Sequence, residues 1–260
     1  MLPIGELAAV VISERAVSVS AAALAELAAA NVAVKVCDEK YRPVGMMQPL
    51  AATTVCDLFR RQVEMREPLR KRLWQEIIQL KIANQAAVLQ RANGDDAGLN
   101  ALSRCVLSGD TGNVEAQAAQ RFWSEFQGVA KRDREAKDLN VLLNFGYMII
   151  WAMTARAICG TGLNPNVGLC HHNKYNPFCL ASDLMEPFRF LAEFAALEQR
   201  DFDGVLTRER KGRLVADILA QGFGFDGNRT TLSVALPLAA SSLKKSIVSG
   251  ACALALPEAV

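Results

Sequence analysis

The chain has little histidine, no paired cysteines and almost no excess of charge. Its seven cysteines (Cys37, Cys56, Cys105, Cys159, Cys170, Cys179 and Cys252) are an odd number with no Cys-x-x-Cys spacing. That excludes the closed zinc patterns built on such pairs. Most of them lie inside apolar patterns and read as reduced structural thiols of a cytoplasmic protein. A net charge of +2, from 29 Lys and Arg against 27 Asp and Glu, is too small to imply a nucleic-acid partner by itself. What matters is where the basic residues cluster. The opening Met1-Leu-Pro-Ile-Gly-Glu-Leu-Ala8 lacks the basic n-region of a secretory signal. One charge-free run, Leu139 to Ala155, has 17 residues, the lower limit for crossing a bilayer. It carries Asn140, Asn144 and Gly146 and is followed by Arg156, so a buried core helix is expected and no membrane partner.

What is present is a globular composition, 51% apolar and 22% charged over 260 residues, enough for one large domain or two small ones. The hydrophobic period changes near residue 50. Before it, Ala8–Ser13, Val32–Cys37 and Arg42–Pro49 read as strands. Ser18-Val-Ser20 supplies capping hydroxyls ahead of a helix at Ala21–Ala30, and Asp38-Glu39-Lys40 marks a turn. From Ala52 the period is 3.6. It predicts helices at about 52–65, 68–92, 98–107, 114–127, 139–160, 182–199, 207–221 and 231–253, with Pro68 in a first turn and Gly222–Asn228 as a loop. The expected fold is α+β: a small β-rich (α/β) unit at 1–50 and a large α-helical one at 51–260. There is no internal repeat at solenoid periods.

Two stretches carry candidate chemistry. The only two histidines, His171 and His172, precede Asp183 and Glu186, carboxylates spaced i, i+3 on a helix expected to be capped by Ser182 and continued by Phe190 and Phe194. Imidazole and carboxylate are a ligand set for a divalent metal. The bland alternatives are a satisfied core histidine and a dipole-matched Asp183. Glu115 is the second candidate. With Ala119, Phe122 and Phe126 it falls on one helix face that is otherwise apolar, and a carboxylate there needs a cation, a metal or a donor. Its bland alternative is a first-turn Glu favoured by the helix dipole. The residues alone leave both readings open. A zinc site from Cys170, His171 and Cys179 is a rival whose spacing matches no closed structural pattern. Basic residues cluster at Arg60-Arg61, Arg66, Arg70-Lys71-Arg72, Lys131-Arg132-Asp-Arg134 and Arg208–Arg213, as candidate phosphate contacts partly neutralised by neighbouring acids.

The stretch His171-His-Asn-x-x-Asn-Pro-Phe-x-Leu-Ala-x-Asp183-Leu-Met-Glu186-Pro-Phe-Arg189 closely resembles the acidic motif of the CRISPR-associated integrases of spacer acquisition, the Cas-one endonuclease family in its type II version. Val34-Lys-Val-Cys-Asp-Glu-Lys40, Gly112-Asn-Val-Glu115-Ala-Gln-Ala-Ala119 and Leu139-Asn-Val-Leu-Leu-Asn-Phe-Gly-Tyr147 agree in the same order, so the resemblance runs from about residue 7 to the end. It implies an N-terminal β-rich dimerisation domain and an α-helical catalytic domain. It also implies a Mg²⁺ or Mn²⁺ site on Glu115, His171 and Glu186, with Asp183, His172 and Asn176 supporting. The implied activity is insertion of short DNA into the CRISPR array by metal-dependent transesterification. Its partners are double-stranded DNA, as prespacer and repeat, and a second copy of the chain. Two such homodimers clamp a dimer of the Cas-two family in a heterohexamer. Lys131, Arg132, Arg134, Lys174 and Arg189 are the candidate DNA contacts, while Asn173 and Asn176 order their loop.

Family members begin with further strands ahead of the segment that here starts at Ile4, so roughly 30 residues, several strands' worth, are expected to be missing from the dimerising part. A second function class follows from that: a DNA-binding or assembly remnant that keeps the fold without integrating. A third, an unrelated hydrolase of small phosphorylated molecules, requires a Gly-rich or basic substrate pocket beside the histidines, and the four ordered blocks speak against it.

Overall fold

The computed structural model describes residues 3–7, 9–30, 32–37, 43–47, 56–126, 133, 135, 137–199 and 201–259. Alternation makes the first sheet two-faced. Strands β1 (Ala9–Ile12) and β2 (Ala33–Cys37) run parallel, with Val10 opposite Val34 and Ile12 opposite Val36, and β3 (Pro43–Met47) adds antiparallel to β2. A parallel pair needs a crossover, and α1 (Ala21–Ala29) provides it. Ser20 starts that helix as expected, its Oγ accepting the Ala23 N–H at 3.1 Å. Val10, Ile12 and Val34 pack with Leu27 and Val32 on one face. Val11 and Cys37 point the other way, into the main core, with Cys37 Sγ 3.1 Å from Met148 Sδ.

The remaining helices are α2 (Cys56–Val63), α3 (Glu67–Asn93), α4 (Leu99–Ser103), α5 (Val114–Glu125), α6 (Asn140–Gly160), α7 (Cys179–Leu184), α8 (Phe190–Leu197), α9 (Arg208–Ala220) and α10 (Leu232–Ser249). The chain is α+β. Helix α3 is the axis of the main core, touching α4, α5, α7, α8 and the turn before α8. It stops at Gly94, whose φ of 76° lets its N–H return to the Gln90 carbonyl at 2.9 Å. Helix α6 is long and apolar enough to cross a membrane, but 72% of its apolar window is buried in the protein. It packs on α7, α8, α9, α10, β1 and β2, as a core helix does.

Three expectations are corrected. The helix expected at 182–199 begins at Cys179, so Ser182 is not its cap but an interior residue. The Ser182 hydroxyl donates to the Phe178 carbonyl at 3.3 Å and accepts from Trp151 Nε1. The same helix breaks after Leu184 into a 3-10 turn at Glu186–Phe188, because Pro187 has no N–H to continue it and its ring collides with the carbonyl four residues back. The expected loop at 222–228 is a hairpin, β4 (Phe223–Phe225) and β5 (Asn228–Thr230). Its two-residue turn is Asp226-Gly227, with φ of 50° and 74°, the Asp-Gly signature of a type I′ connection. A last short strand, β6 (Pro257–Glu258), pairs antiparallel with β4.

Candidate functional site

Glu115 and Glu186 arrive from segments 71 residues apart and meet at one point. Asp110 fixes the start of α5, its two carboxylate oxygens accepting the Val114 and Glu115 N–H groups at 2.8 and 3.0 Å. That leaves Glu115 in the first turn with its side chain toward α3. The buried stripe of α5 is Val114, Ala118 and Phe122, continued by Phe126. Ala119 and Glu115 lie at its edge instead of on it. Glu186 is carried by the 3-10 turn that Pro187 imposes, and it is nearly buried at 7% exposure.

Between the two carboxylates sits Lys81 of α3. Its Nζ is 2.5 Å from Glu115 Oε1 and 2.6 Å from Glu186 Oε2. Arg189, three residues after Glu186, donates from Nη1 to both Glu186 oxygens at 3.0 and 3.2 Å, and its guanidinium stacks 4.1 Å over the Tyr147 ring. Tyr147 in turn donates to Glu193 Oε1 at 2.8 Å. Burial alone would raise Glu186, but Arg189 and Lys81 pull its carboxyl down to about 2. Burial alone would lower Lys81, and Glu186 with Glu115 outweighs it, holding the ammonium above its ordinary range. Glu193, with no cation at bonding distance among the described residues, is pushed up by burial.

His171 is organised separately. Asp183 is fully buried and accepts the backbone N–H groups of Leu169 (2.5 Å), Cys170 (3.3 Å) and His171 (3.1 Å) as well as His171 Nδ1 at 2.6 Å. Asp183 therefore sits late in α7 as the anchor of the preceding loop, not as a first-turn acid. The loop comes this close only because residue 168 is glycine. A Cβ there would lie 2.5 Å from the His171 carbonyl oxygen and 2.8 Å from Asp183 Oδ2. With Nδ1–H committed to Asp183, the imidazole keeps its lone pair on Nε2. The Asp183 hydrogen bond raises the His171 pKa above its ordinary value, against burial. Trp74, two turns before Lys81 on α3, meets the imidazole edge-on at 6.0 Å.

The structure thus brings Glu115 and Glu186 together and pairs His171 with Asp183. Among the described residues no three His, Cys, Asp or Glu side chains form one group spaced for a metal ion. Nor do Cys170, His171 and Cys179 form a zinc group: Cys170 is exposed and Cys179 Sγ donates to the Asn176 carbonyl at 3.2 Å. The carboxylate pair nonetheless fits a divalent ion. One nitrogen lies within hydrogen-bonding distance of both, so the two oxygens already converge on a single cation position. Two carboxylates suit Mg²⁺ or Mn²⁺.

Beside His171 lies an open groove of about 790 Å³ lined by Gln62, Arg70, His172, Lys174 and Tyr175 among others. Asn176 shapes it, its Nδ2 donating to Ser182 Oγ at 3.0 Å and its Oδ1 accepting the Phe178 N–H at 3.0 Å. Asn173 Oδ1 accepts the Tyr175 N–H at 2.9 Å, so both asparagines order the loop. Lys174 stands exposed over the Tyr175 ring. Arg189 faces inward, committed to Glu186 and Tyr147. Lys131, Arg132 and Arg134 lie outside the described residues. Sequence reasoning missed Lys81, Trp74, Tyr147 and Glu193. The available signal was a single charge on an apolar helical stripe, Lys81 in the row Trp74, Ile77, Ile78 and Glu193 in Phe190–Leu197.

The family model of CRISPR associated protein Cas1 matches residues 1–199. A CRISPR-associated endonuclease Cas1 of Neisseria meningitidis serogroup C is 34% identical over 220 residues, 82% of this chain and 72% of the relative. Among solved structures, a casposase bound to integration product superposes with a TM-score of 0.77 at 21% identity, covering 93% of this chain and 78% of that one. A Cas6-RT-Cas1–Cas2 complex gives 0.75 at 21% identity, over 94% of this chain and 31% of that one. The ordered motif blocks, the α+β fold around α3 and this match over more than half the sequence have one reading: the chain belongs to the Cas1 family.

Proposed function

We propose that the protein is a metal-dependent DNA endonuclease and integrase of CRISPR adaptation, which inserts short DNA fragments as new spacers. The observation that carries this is the convergence of Glu115 and Glu186 on one cation position. The His171 imidazole, whose tautomer Asp183 fixes, packs against Trp74 of the same helix that carries Lys81. Glu115, Glu186 and His171 Nε2 would hold Mg²⁺ or Mn²⁺, which when bound polarises a phosphoryl oxygen of the scissile group.

The protein's own residues do the rest. Arg70, His172 and Lys174 line a groove that suits a phosphate backbone. Asp183 holds the His171 loop, and Pro187 holds the Glu186 turn, so the ligands keep their aim as DNA enters. In strand transfer, the 3′-oxygen of the incoming fragment bonds to phosphorus while the bond to the 3′-oxygen of the repeat strand breaks. The proton lost by the attacking hydroxyl ends on the departing oxygen. One phosphodiester replaces another, so no energy source is consumed. Water in place of the 3′-hydroxyl gives endonucleolytic cleavage.

By the same reading, the protein works in the cytoplasm on prespacer and repeat DNA, as a homodimer assembled with a Cas-two dimer. The test is strand transfer of a prespacer into a supercoiled repeat plasmid with Mn²⁺ and the Cas-two partner. Glu115→Gln, His171→Ala and Glu186→Gln are each expected to lower transfer by about 100-fold or more. Unchanged transfer in these variants, or DNA binding without transfer in the wild type, would refute the proposal.

A further inference from the structure

Lys81 is a buried cation that touches both proposed ligands, and the proposed chemistry leaves its role unassigned. Its side chain is 8% exposed, and its ammonium occupies the position between Glu115 and Glu186. Arg189 supplies a second positive charge on Glu186. Around that point two carboxylates face two cations, so their charge is neutralised before any metal arrives. A divalent ion entering there meets an ammonium already seated on the same oxygens, and the two cations repel at contact distance. Lys81 has a flexible four-carbon stem, whereas Arg189 is wedged between Glu186 and Tyr147, so Lys81 is the cation able to leave.

We propose that Lys81 is a built-in competitor of the metal ion. It holds the two ligands together in the metal-free protein, and metal binds tightly only when DNA supplies a phosphate to receive the displaced ammonium. Metal and DNA then bind cooperatively, and the metal-free protein is protected from loading without substrate. This rests on the reading of Glu115 and Glu186 as metal ligands.

The experiment measures Mn²⁺ binding by electron paramagnetic resonance of the free ion, for the wild type and Lys81→Met, with and without a duplex carrying a 3′ overhang. DNA is expected to tighten Mn²⁺ binding by the wild type at least about tenfold. Lys81→Met is expected to bind Mn²⁺ at least about tenfold more tightly than the wild type without DNA, and to gain little from DNA. Lys81→Arg, which keeps the charge, should retain the weak metal binding. Equal affinity in the wild type and Lys81→Met without DNA would overturn the proposal while leaving the metal site standing. Wild-type binding unaffected by Glu115→Gln and Glu186→Gln would overturn the metal site and the proposal together. A crystal structure of the Mn²⁺-loaded wild type decides the matter even where Lys81→Met does not fold. The Lys81 Nζ should stand more than about 4 Å, the ion-pair limit, from at least one of the two carboxylates. An ammonium still bridging both beside a bound metal would overturn the proposal.

Discussion

Replacing Asp183 by Asn exchanges one oxygen for an NH₂ group and leaves the shape of the side chain almost unchanged. The native carboxylate accepts from four donors, two on each oxygen: Leu169 and Cys170 N–H on Oδ2, His171 N–H and Nδ1 on Oδ1. An amide has one acceptor oxygen, so either orientation sets its NH₂ against a pair of donors. If the oxygen stays with Leu169 and Cys170, the His171 N–H is orphaned. The imidazole must then turn its lone pair to Nδ1, which puts the proton on Nε2 and leaves no lone pair there for a metal. If the oxygen stays with His171, two backbone donors at 2.5 and 3.3 Å are orphaned instead. An orphaned buried donor costs about 1–3 kcal/mol, and the loss of charge-assisted bonds adds to it, so Asp183→Asn should destabilise by about 3–5 kcal/mol. Urea unfolding at pH 7 measures the cost, and nitrogen NMR of His171 reads the tautomer. The pH dependence supplies an independent check. His171 has a raised pKa in the folded protein, so its interaction with Asp183 stabilises most below the ordinary histidine value and is lost as pH climbs through the folded value. That acid-side stabilisation should shrink in Asp183→Asn. A variant within about 1 kcal/mol of wild type, with the imidazole proton still on Nδ1, would refute the reasoning.

Two further outcomes follow from burial. Lys35 is 1% exposed, its ammonium 3.9 Å over the Trp151 ring, and burial lowers its pKa to about 7 against a small opposing effect of Cys37. Between pH 7 and the unfolded value of 10.5 the unfolded chain holds the extra proton, so the Lys35 contribution to stability rises with pH across that window. Lys35→Met should therefore stabilise by about 3 kcal/mol at pH 7, net of the lost ring contact, and the advantage should fade toward pH 10 in urea titrations. A constant difference, or a loss at pH 7, would contradict it. Gly168→Ala places a methyl group against the His171 carbonyl and Asp183 Oδ2 and should cost about 2 kcal/mol or more, seen as a lower urea midpoint. A wild-type midpoint would mean that the loop has room to yield.

Much of this site was legible because charge on an apolar surface is conspicuous. Glu115, Asp183 and Glu186 each stood at the head of an apolar stripe, and each proved to need a partner. The partners themselves were not legible. Lys81 lies 34 residues before Glu115, and its place on an apolar stripe marks it as unusual without telling a bridging lysine from one that snorkels to solvent. Ser182 illustrates the opposite error. Its hydroxyl suggested a cap, yet inside a helix a serine also bonds the carbonyl four residues back, and tertiary contacts chose that state. The strands β4 and β5 are three residues long, too short for a period, so only the Asp226-Gly227 pair marked them. In a half-buried strand, alternation would put Lys35 on the solvent side. In the fold, α1 covers one face of the sheet and α6 the other, so alternation sorted residues between two interiors.

Helix α3 touches every part of the candidate site with one face. Trp74 meets His171, Lys81 joins Glu115 to Glu186, and Asn84 donates to the Pro187 and Pro257 carbonyls at 2.8 and 2.9 Å while accepting the Ala259 N–H at 2.9 Å. These residues are spaced seven and three apart, so they share an azimuth on the rod. The segments that carry Glu115, His171 and Glu186 all touch this common ruler, and the His171 loop is held by Asp183 as well. A single residue inserted between Trp74 and Lys81 would turn the two halves of the ruler by about 100° and part the His171 loop from the Glu115–Glu186 pair. Tolerance to length change in this chain should thus be set by α3, and its final strand, tied at Asn84, belongs to the same metric.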